Sequence, residues 1–287
     1  MSEGSGPLVY LSRERARCGE AASIIEAAGG ELVAFPAYVF EQTGQWEEVD
    51  RALRGERRVD RILFTSARAV EFYAGRRALF EQTGKTARAG LSTDSAGGAR
   101  FEGGTARVIA IGSKTAAACH EAGMPVSWTA ATSDTEGVLA EYGRREKSGL
   151  TVLLPRSEAA DRMLPDGLAA RGAGPVVAPI YRPLLPPVER IRDGLNALAR
   201  RKPAVCAFTS PLAFTNFTEL VARGIGKEKG MLSPSYFDGV RLYALGRTTA
   251  ARIRELTRHE VVTAAQPSVE ELAREIATQI SGALHER

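Results

Sequence analysis

The sequence contains few of the residues from which metal and disulfide sites are built. Three cysteines and three histidines occur in 287 residues, and Cys18, Cys119 and Cys206 lie far apart. An odd number of cysteines without a paired spacing argues against a disulfide framework and a zinc site. The scattered histidines offer no short-range pair for metal ligation. We therefore expect neither a disulfide nor a metal centre.

The sequence also lacks long apolar runs. No stretch approaches the roughly 18 consecutive apolar residues that a membrane helix requires. The segment from Met1 to Pro7 has no apolar core of the kind that targeting signals contain. These absences predict a soluble, cytoplasmic protein that makes no membrane contacts.

A strong excess of one charge is absent as well. The 38 lysines and arginines are interspersed with 34 aspartates and glutamates, which gives a net charge of +4. A nucleic-acid-binding protein usually concentrates its cations on one helix or stripe, with aromatic residues between them. The distributed charge therefore argues against a nucleic-acid partner and is compatible with a small polyanionic ligand.

Common nucleotide and hydrolase motifs are missing too. No Gly-x-Gly-x-x-Gly follows a strand pattern, and the segment from Gly112 to Thr115 lacks the glycine spacing of a phosphate loop. The histidines fall away from the predicted strand ends, so no Ser, His and Asp triad is visible. A nicotinamide site, a flavin site and a serine-hydrolase site are therefore not expected.

What the sequence does contain is an internal duplication. Val9 to Arg13 returns as Val152 to Arg156, and Pro36-Ala37-Tyr38 returns as Pro179-Ile180-Tyr181, in both cases 143 residues later. Two further pairs keep the same order, namely Phe64-Thr65-Ser66 with Phe208-Thr209-Ser210, and Ala110 to Ala116 with Ala244 to Ala250. Repetition in a fixed order indicates two similar structural units.

Each copy alternates short apolar runs with helical patterns, which is typical of parallel sheets covered by helices. Five strands per copy predict an α/β fold of two flavodoxin-like parallel-sheet domains with a cleft between them. The Pro-x-Tyr segments favour extended backbone and are predicted to cross between the domains. The Gly- and Ser-rich stretch from Gly84 to Gly104 is predicted to be a surface loop.

The predicted strand ends supply the candidate binding residues. In parallel sheets, ligands bind beyond the carboxyl ends of the strands, where helix N-termini, glycines, hydroxyls and cations receive anions. A Ser or Thr in this place is also an ordinary helix cap, so a structural interpretation stays open for each. The candidate binding residues are Arg13, Thr65, Ser66, Gly112, Ser113, Lys114, Thr115, Arg156, Thr209, Ser210, Gly246, Arg247 and Thr248.

In their order and spacing, the duplicated motifs resemble the uroporphyrinogen-III synthase family. The motifs that carry the resemblance are Phe64 to Val70, Ala110 to Ala116, Pro179 to Arg182, Phe208 to Pro211 and Ala244 to Ala250. The family architecture implies two domains joined by a two-stranded linker, one of them formed by both ends of the chain. Residues 1–34 and 184–287 would form that domain, 41–177 the inserted domain, and 35–40 and 178–183 the linker strands.

The resemblance implies cyclisation of the linear tetrapyrrole hydroxymethylbilane, with loss of water and inversion of ring D, a hydro-lyase reaction of haem biosynthesis. No metal or organic cofactor is implied. The implied partners are this octacarboxylate substrate and, transiently, the preceding enzyme of the pathway, with the chain acting as a monomer. Tyr181 is the implied proton donor to the departing hydroxyl, and Thr249 is the second implied catalytic residue. Packing at the crossing is an equally open interpretation of Tyr181.

Three residues depart from the pattern of the family. Ser12 replaces a common Thr, while Lys114 and Arg247 stand where the family often has uncharged residues. The two cations would add carboxylate contacts, or they would indicate a relative with a different ligand. The alternative function is therefore a two-lobed small-molecule binding or regulatory protein, derived from such a synthase and without catalysis.

Overall fold

A computed structural model describes residues 6–83, 99–101, 104–132, 134–224 and 230–285. In chain order, the strands are β1 (Leu8–Leu11), β2 (Glu31–Ala34), β3 (Val39–Gln42), β4 (Arg61–Phe64), β5 (Ala99–Phe101), β6 (Gly104–Ile111), β7 (Val126–Ala130), β8 (Thr151–Ser157), β9 (Gly174–Leu184), β10 (Val205–Phe208), β11 (Arg241–Ala244) and β12 (Val261–Thr263).

The helices fall between these strands, as the alternating sequence pattern predicts. They are α1 (Gly19–Ala27), α2 (Glu47–Leu53), α3 (Ala67–Gln82), α4 (Ser113–Glu121), α5 (Thr135–Arg145), α6 (Met163–Ala169), α7 (Val188–Arg200), α8 (Pro211–Gly224), α9 (Arg247–Thr257) and α10 (Val269–His285). Within the described ranges, no helix is both long enough and apolar enough to span a membrane.

The chain divides into two compact units. The first, here called the terminal unit, contains Met1–Val39 and Leu184–Arg287, and the second, the central unit, contains Phe40–Pro183. The chain therefore passes from one unit to the other within or beside the two Pro-x-Tyr segments. Strand β3 pairs with β9, and β9 runs through residues 178–183 without interruption.

The terminal unit contains a five-stranded parallel sheet in the order β12-β11-β10-β1-β2. Alternate residues of β1 face opposite sides. Tyr10 packs in one core with helices α7, α8 and α9, whereas Val9 packs in another with α1 and α10. Helices on both faces explain why β1 and β10 are buried along their whole length.

The central unit repeats this arrangement with a different chain order. Its parallel strands lie in the order β9-β8-β4-β6-β7. Strands β8 and β9 therefore occupy the places that β1 and β2 occupy in the terminal unit. The terminal sheet shows the 2-1-3-4-5 order of flavodoxin-like folds, and the central sheet is a circular permutation of that order, because its last two strands take the places of the first two. The predicted fold class is confirmed. Each copy of the duplicated sequence contributes its first two strands to one unit and its last three to the other.

The prediction of a continuous loop between Gly84 and Gly104 is wrong at its carboxyl end. Ala99 to Phe101 form strand β5, which pairs antiparallel with β6, and Gly104 already belongs to β6. The three-residue strand exists because β6 offers it a partner, and its own sequence is too short to signal a strand. The rest of the predicted loop, residues 84–98 and 102–103, lies outside the described residues.

Candidate functional site

In the central unit, predicted site residues gather at the carboxyl edge of the sheet. Arg156 lies near the end of β8, Thr65 and Ser66 follow β4, and Gly112 follows β6. Strands β8 and β4 are neighbours, and the chain order reverses between them, which is where parallel sheets of this type bind ligands. The sequence therefore places hydroxyl and cationic residues at the topological switch point.

A tyrosine and a serine meet at this edge. The Tyr181 hydroxyl lies 3.0 Å from Ser66 Oγ, and Ser66 Oγ also accepts a hydrogen bond from the Ala69 amide at 3.1 Å, which caps α3. The Tyr181 ring stacks on Phe72 at 5.4 Å and contacts the edge of Phe40 at 5.4 Å. Tyr181 is 6% exposed, so its orientation is fixed by packing on both sides.

The segment from Gly112 to Thr115 begins α4 beside this edge. Gly112 has φ of 79°, a left-handed backbone conformation that a glycine adopts without strain. Lys114 and Ser113 are exposed at the first turn, while Thr115 is buried. The exposed ammonium group and the free amide groups of the helix N-terminus are suited to an anion.

In the terminal unit, Ser12 and Thr209 join the ends of β1 and β10. The Thr209 amide donates to Ser12 Oγ at 2.9 Å, and the Thr209 hydroxyl donates to the Ser12 carbonyl at 3.2 Å. These bonds link the two strands on either side of the switch point of this sheet. The hydroxyl of Thr209 is thus engaged with protein atoms.

The terminal unit has its own tyrosine and serine pair. Ser210 Oγ donates to the Tyr38 hydroxyl at 3.3 Å and accepts from the Ala213 amide at 3.1 Å, at the start of α8. Tyr38 is the counterpart of Tyr181 in the duplication, and Ser210 is the counterpart of Ser66. Sequence reasoning did not include Tyr38 among the site residues, although the repeated Pro-x-Tyr segment was a signal that could have found it.

The remaining candidates of the terminal unit surround the start of α9. Gly246, Arg247, Thr263 and Pro267 help to line a shallow cavity of 460 Å³. Arg247 and Thr248 are exposed, whereas Thr249 is 3% exposed. Arg13 lies after β1, where its Nε donates to the Arg17 carbonyl at 2.9 Å. Arg247 and Thr248 are therefore accessible to a ligand, whereas the Thr249 side chain is shielded from solvent.

Arg156 has an unusual environment for a cation. It is 7% exposed, and no described residue forms a hydrogen bond or an ion pair with its guanidinium. Burial lowers the pKa of its guanidinium from the ordinary value, and the negative charge of Asp161 partly offsets that effect. An anionic ligand would supply the negative partner that this buried cation lacks among the described residues.

No metal site accompanies these groups: within the described ranges, no three His, Cys, Asp or Glu side chains come together as a potential metal-binding group. The fold and the two edges define a protein of two flavodoxin-like units, whose strand ends present hydroxyl groups, helix N-termini and cations suited to anionic ligands.

Comparison with known families agrees with this class. The family described as uroporphyrinogen-III synthase HemD matches residues 19–274, and the chain belongs to this family. The family consists of lyases of tetrapyrrole biosynthesis.

Two named relatives and two solved structures illustrate the relationship. The chain is 30% identical over 249 residues to a putative uroporphyrinogen-III synthase of Methanothermobacter thermautotrophicus, covering 85% of this chain and 88% of the relative. It is 23% identical to the uroporphyrinogen-III synthase of Synechococcus elongatus, covering 88% and 87% of the two chains.

The fold is similar to that of a mutant uroporphyrinogen III synthase from Thermus thermophilus, with a TM-score of 0.56 and 20% identity over 98% of this chain and all of the other. A uroporphyrinogen-III synthetase from Helicobacter pylori gives a TM-score of 0.53 and 16% identity over the same shares. At these identities, the structural similarity establishes the fold alone.

Proposed function

We propose that this protein is a uroporphyrinogen-III synthase that cyclises hydroxymethylbilane with loss of water and inversion of ring D. The observation that carries the proposal is the Tyr181 and Ser66 pair, held at the switch point of the central sheet in a member of this family. Loss of water gives an azafulvene, which ring D attacks through its substituted carbon. The spiro intermediate then fragments and recloses to the type III macrocycle.

Tyr181 is the proposed proton donor to the departing hydroxyl. Ser66 Oγ already accepts the Ala69 amide, and its own O–H is free to donate to the Tyr181 oxygen. With Ser66 as that donor, the Tyr181 O–H points away from Ser66 and is available to the substrate. The same serine bond then stabilises the negative charge that develops on the tyrosine oxygen. Ser66 is thus a positioning residue for Tyr181.

Binding of the octacarboxylate is proposed to use the exposed cations and helix N-termini of both units. Lys114 at the start of α4 and Arg247 at the start of α9 are exposed, and neither forms an ion pair with a described residue. Each contact between a carboxylate and a helix N-terminus contributes about 0.3–1 kcal/mol. Several such contacts together supply affinity for a polyanion.

Thr249 is proposed to contribute to catalysis by holding the first turn of α9. Its side chain is almost fully buried, which suits support of neighbouring binding groups better than proton transfer. Chemistry of this kind gains most of its rate from the shape in which the substrate is held.

The proposal is tested by adding hydroxymethylbilane to the purified protein and separating the type III from the type I isomer after oxidation. We expect the type III isomer in excess over the type I isomer that unassisted closure gives. A sample without protein supplies that background. Formation of type I alone, at the background rate, would refute the synthase and favour the non-catalytic binding protein.

A further inference from the structure

Arg156 is the one cation that the described part of the fold buries. Only 7% of it is exposed, whereas other shielded arginines have acidic partners. Arg61, for example, contacts Glu146 at 2.6 Å, and Arg76 contacts Asp50 at 2.6 Å. A buried charge is normally paired, because removal from water costs several kcal/mol that only a partner offsets. Arg156 therefore differs from the other shielded arginines in how its charge is compensated.

The guanidinium of Arg156 has no such partner in the described residues. Its Nε is shielded from solvent and makes no hydrogen bond. Asp161 influences its pKa but lies outside ion-pair distance, and Oδ1 of Asp161 instead accepts the Met163 amide at 2.9 Å. The donor groups of Arg156 thus meet no acceptor among the described residues.

The backbone around Arg156 is also specialised. Arg156 stands opposite Pro179 on β9, and the register between the two strands shifts immediately after it. Bulges of this kind re-aim side chains and are frequent next to active sites. The loop that follows is tied to the proposed proton donor, because the Glu158 amide donates to the Tyr181 carbonyl at 2.8 Å.

We propose that Arg156 is the specificity-determining anchor of the central unit and binds one carboxylate side chain of the tetrapyrrole through two parallel N–H···O bonds. A guanidinium matches a carboxylate in this bidentate geometry, and a bound carboxylate supplies the missing partner. The identity of the ligand rests on the proposed function. Anchoring at Arg156 places one carboxylate at the end of β8, where the next residue, Ser157, pairs with Tyr181 of β9.

Uroporphyrin III, the air-stable oxidised form of the proposed product, is a suitable probe. Its binding is measured by fluorescence titration of the wild type and of Arg156→Met, Arg156→Lys and Arg162→Met. We expect Arg156→Met to bind about 10- to 100-fold more weakly, as loss of a charge-assisted pair implies. Arg156→Lys should be intermediate, because an ammonium group cannot form the bidentate pair. Arg162 lies on the same loop, is 81% exposed and pairs with Asp166, so its variant should bind like the wild type.

Urea unfolding supplies a second readout. If Arg156 is an unpaired buried charge in the empty protein, Arg156→Met should unfold at the same or a higher urea concentration. Unchanged porphyrin binding in this variant, or a large drop of its unfolding midpoint, would overturn the proposal and make Arg156 a structural residue. If Arg156→Met does not fold, Arg156→Lys takes its place. Weaker uroporphyrin III binding at an unchanged urea midpoint supports the proposal, and unchanged binding overturns it.

The two proposals fail separately. A wild-type protein that forms no type III isomer but loses porphyrin affinity in Arg156→Met would contradict the synthase and retain the anchor. If the wild type forms the type III isomer and Arg156→Met keeps the wild-type affinity for the porphyrin, the synthase is supported and the anchor is contradicted.

Discussion

The hydroxyl of Tyr181 lies 3.0 Å from Oγ of Ser66, and the two residues come from different copies of the duplicated sequence. The terminal unit contains the reciprocal pair, in which Tyr38 of the first copy meets Ser210 of the second at 3.3 Å. Both serines also cap the helix that follows them. The same contact between a tyrosine and a capping serine therefore occurs once in each unit. The pair in the terminal unit can serve as a control for the pair in the central unit.

Removal of the Tyr181 hydroxyl should slow type III formation. We expect about a 10- to 100-fold loss in Tyr181→Phe, and a similar loss in Thr249→Ala, if positioning supplies most of the rate. Single-turnover conversion of hydroxymethylbilane with isomer analysis measures both. Tyr142→Phe is a matched control, since the buried Tyr142 hydroxyl forms no hydrogen bond with any described residue. Complete loss of activity in a folded Tyr181→Phe protein would contradict catalysis by positioning, and a wild-type rate would remove Tyr181 from the site.

The two capping serines should differ in function but not in stability. Ser66→Ala and Ser210→Ala each remove one helix cap and one tyrosine contact, so each should lower the free energy of unfolding by about 0.5–2 kcal/mol. Only Ser66→Ala should also slow type III formation, because Ser66 positions Tyr181. Urea unfolding and single-turnover kinetics on both variants provide the comparison. Equal slowing by both would show that the terminal pair is part of the catalytic arrangement too.

Binding of an octacarboxylate should weaken as salt is added. Over the range in which the Debye length falls from about 10 to 3 Å, screening weakens the attraction between exposed charges. Lys114→Ala and Arg247→Ala should flatten this dependence in calorimetric titrations with uroporphyrin III. Lys147→Ala serves as the control. The exposed Lys147 lies in the loop before β8, at the amino end of that strand, whereas the candidate site lies at the carboxyl end. Salt slopes equal to that of the wild type would exclude both cations as ligand contacts.

Arg61 should be important for stability. Its Nη2 contacts Glu146 Oε2 at 2.6 Å, and Trp128 Nε1 donates to the other carboxylate oxygen at 2.9 Å. Because the Glu146 side chain is only 5% exposed, Arg61→Met leaves a buried charge unpaired and should destabilise the protein by about 3–5 kcal/mol. The double variant Arg61→Met with Glu146→Leu should recover much of that loss in urea unfolding. A double variant less stable than the single one would contradict this account.

The sequence was most informative where neighbouring residues determine structure. Short apolar runs are typical of buried strands, and the run from Leu8 to Leu11 forms β1. Ser268 and Glu271 have the spacing of a capping box, and the Glu271 amide donates to Ser268 Oγ at 3.0 Å. Properties that depend on distant partners were not predictable. Ser210, whose hydroxyl donates to Tyr38, is 172 positions away. Whether Arg156 has an acidic partner depends on which side chains the surrounding helices and strands bring close to it. Likewise, β5 exists only because β6 lies beside it.

The strand exchange sets the order in which the two sheets can be completed during synthesis on the ribosome. The central unit is one continuous stretch of chain, so all its strands emerge together. Strands β1 and β2 emerge before the central unit and can pair with each other, yet Val9 of β1 gains its neighbour on the other side only when Val205 of β10 has been made. Pairing of such distant segments carries a loop-closure cost, and one edge of β1 therefore stays open until the whole central unit and β10 have been made.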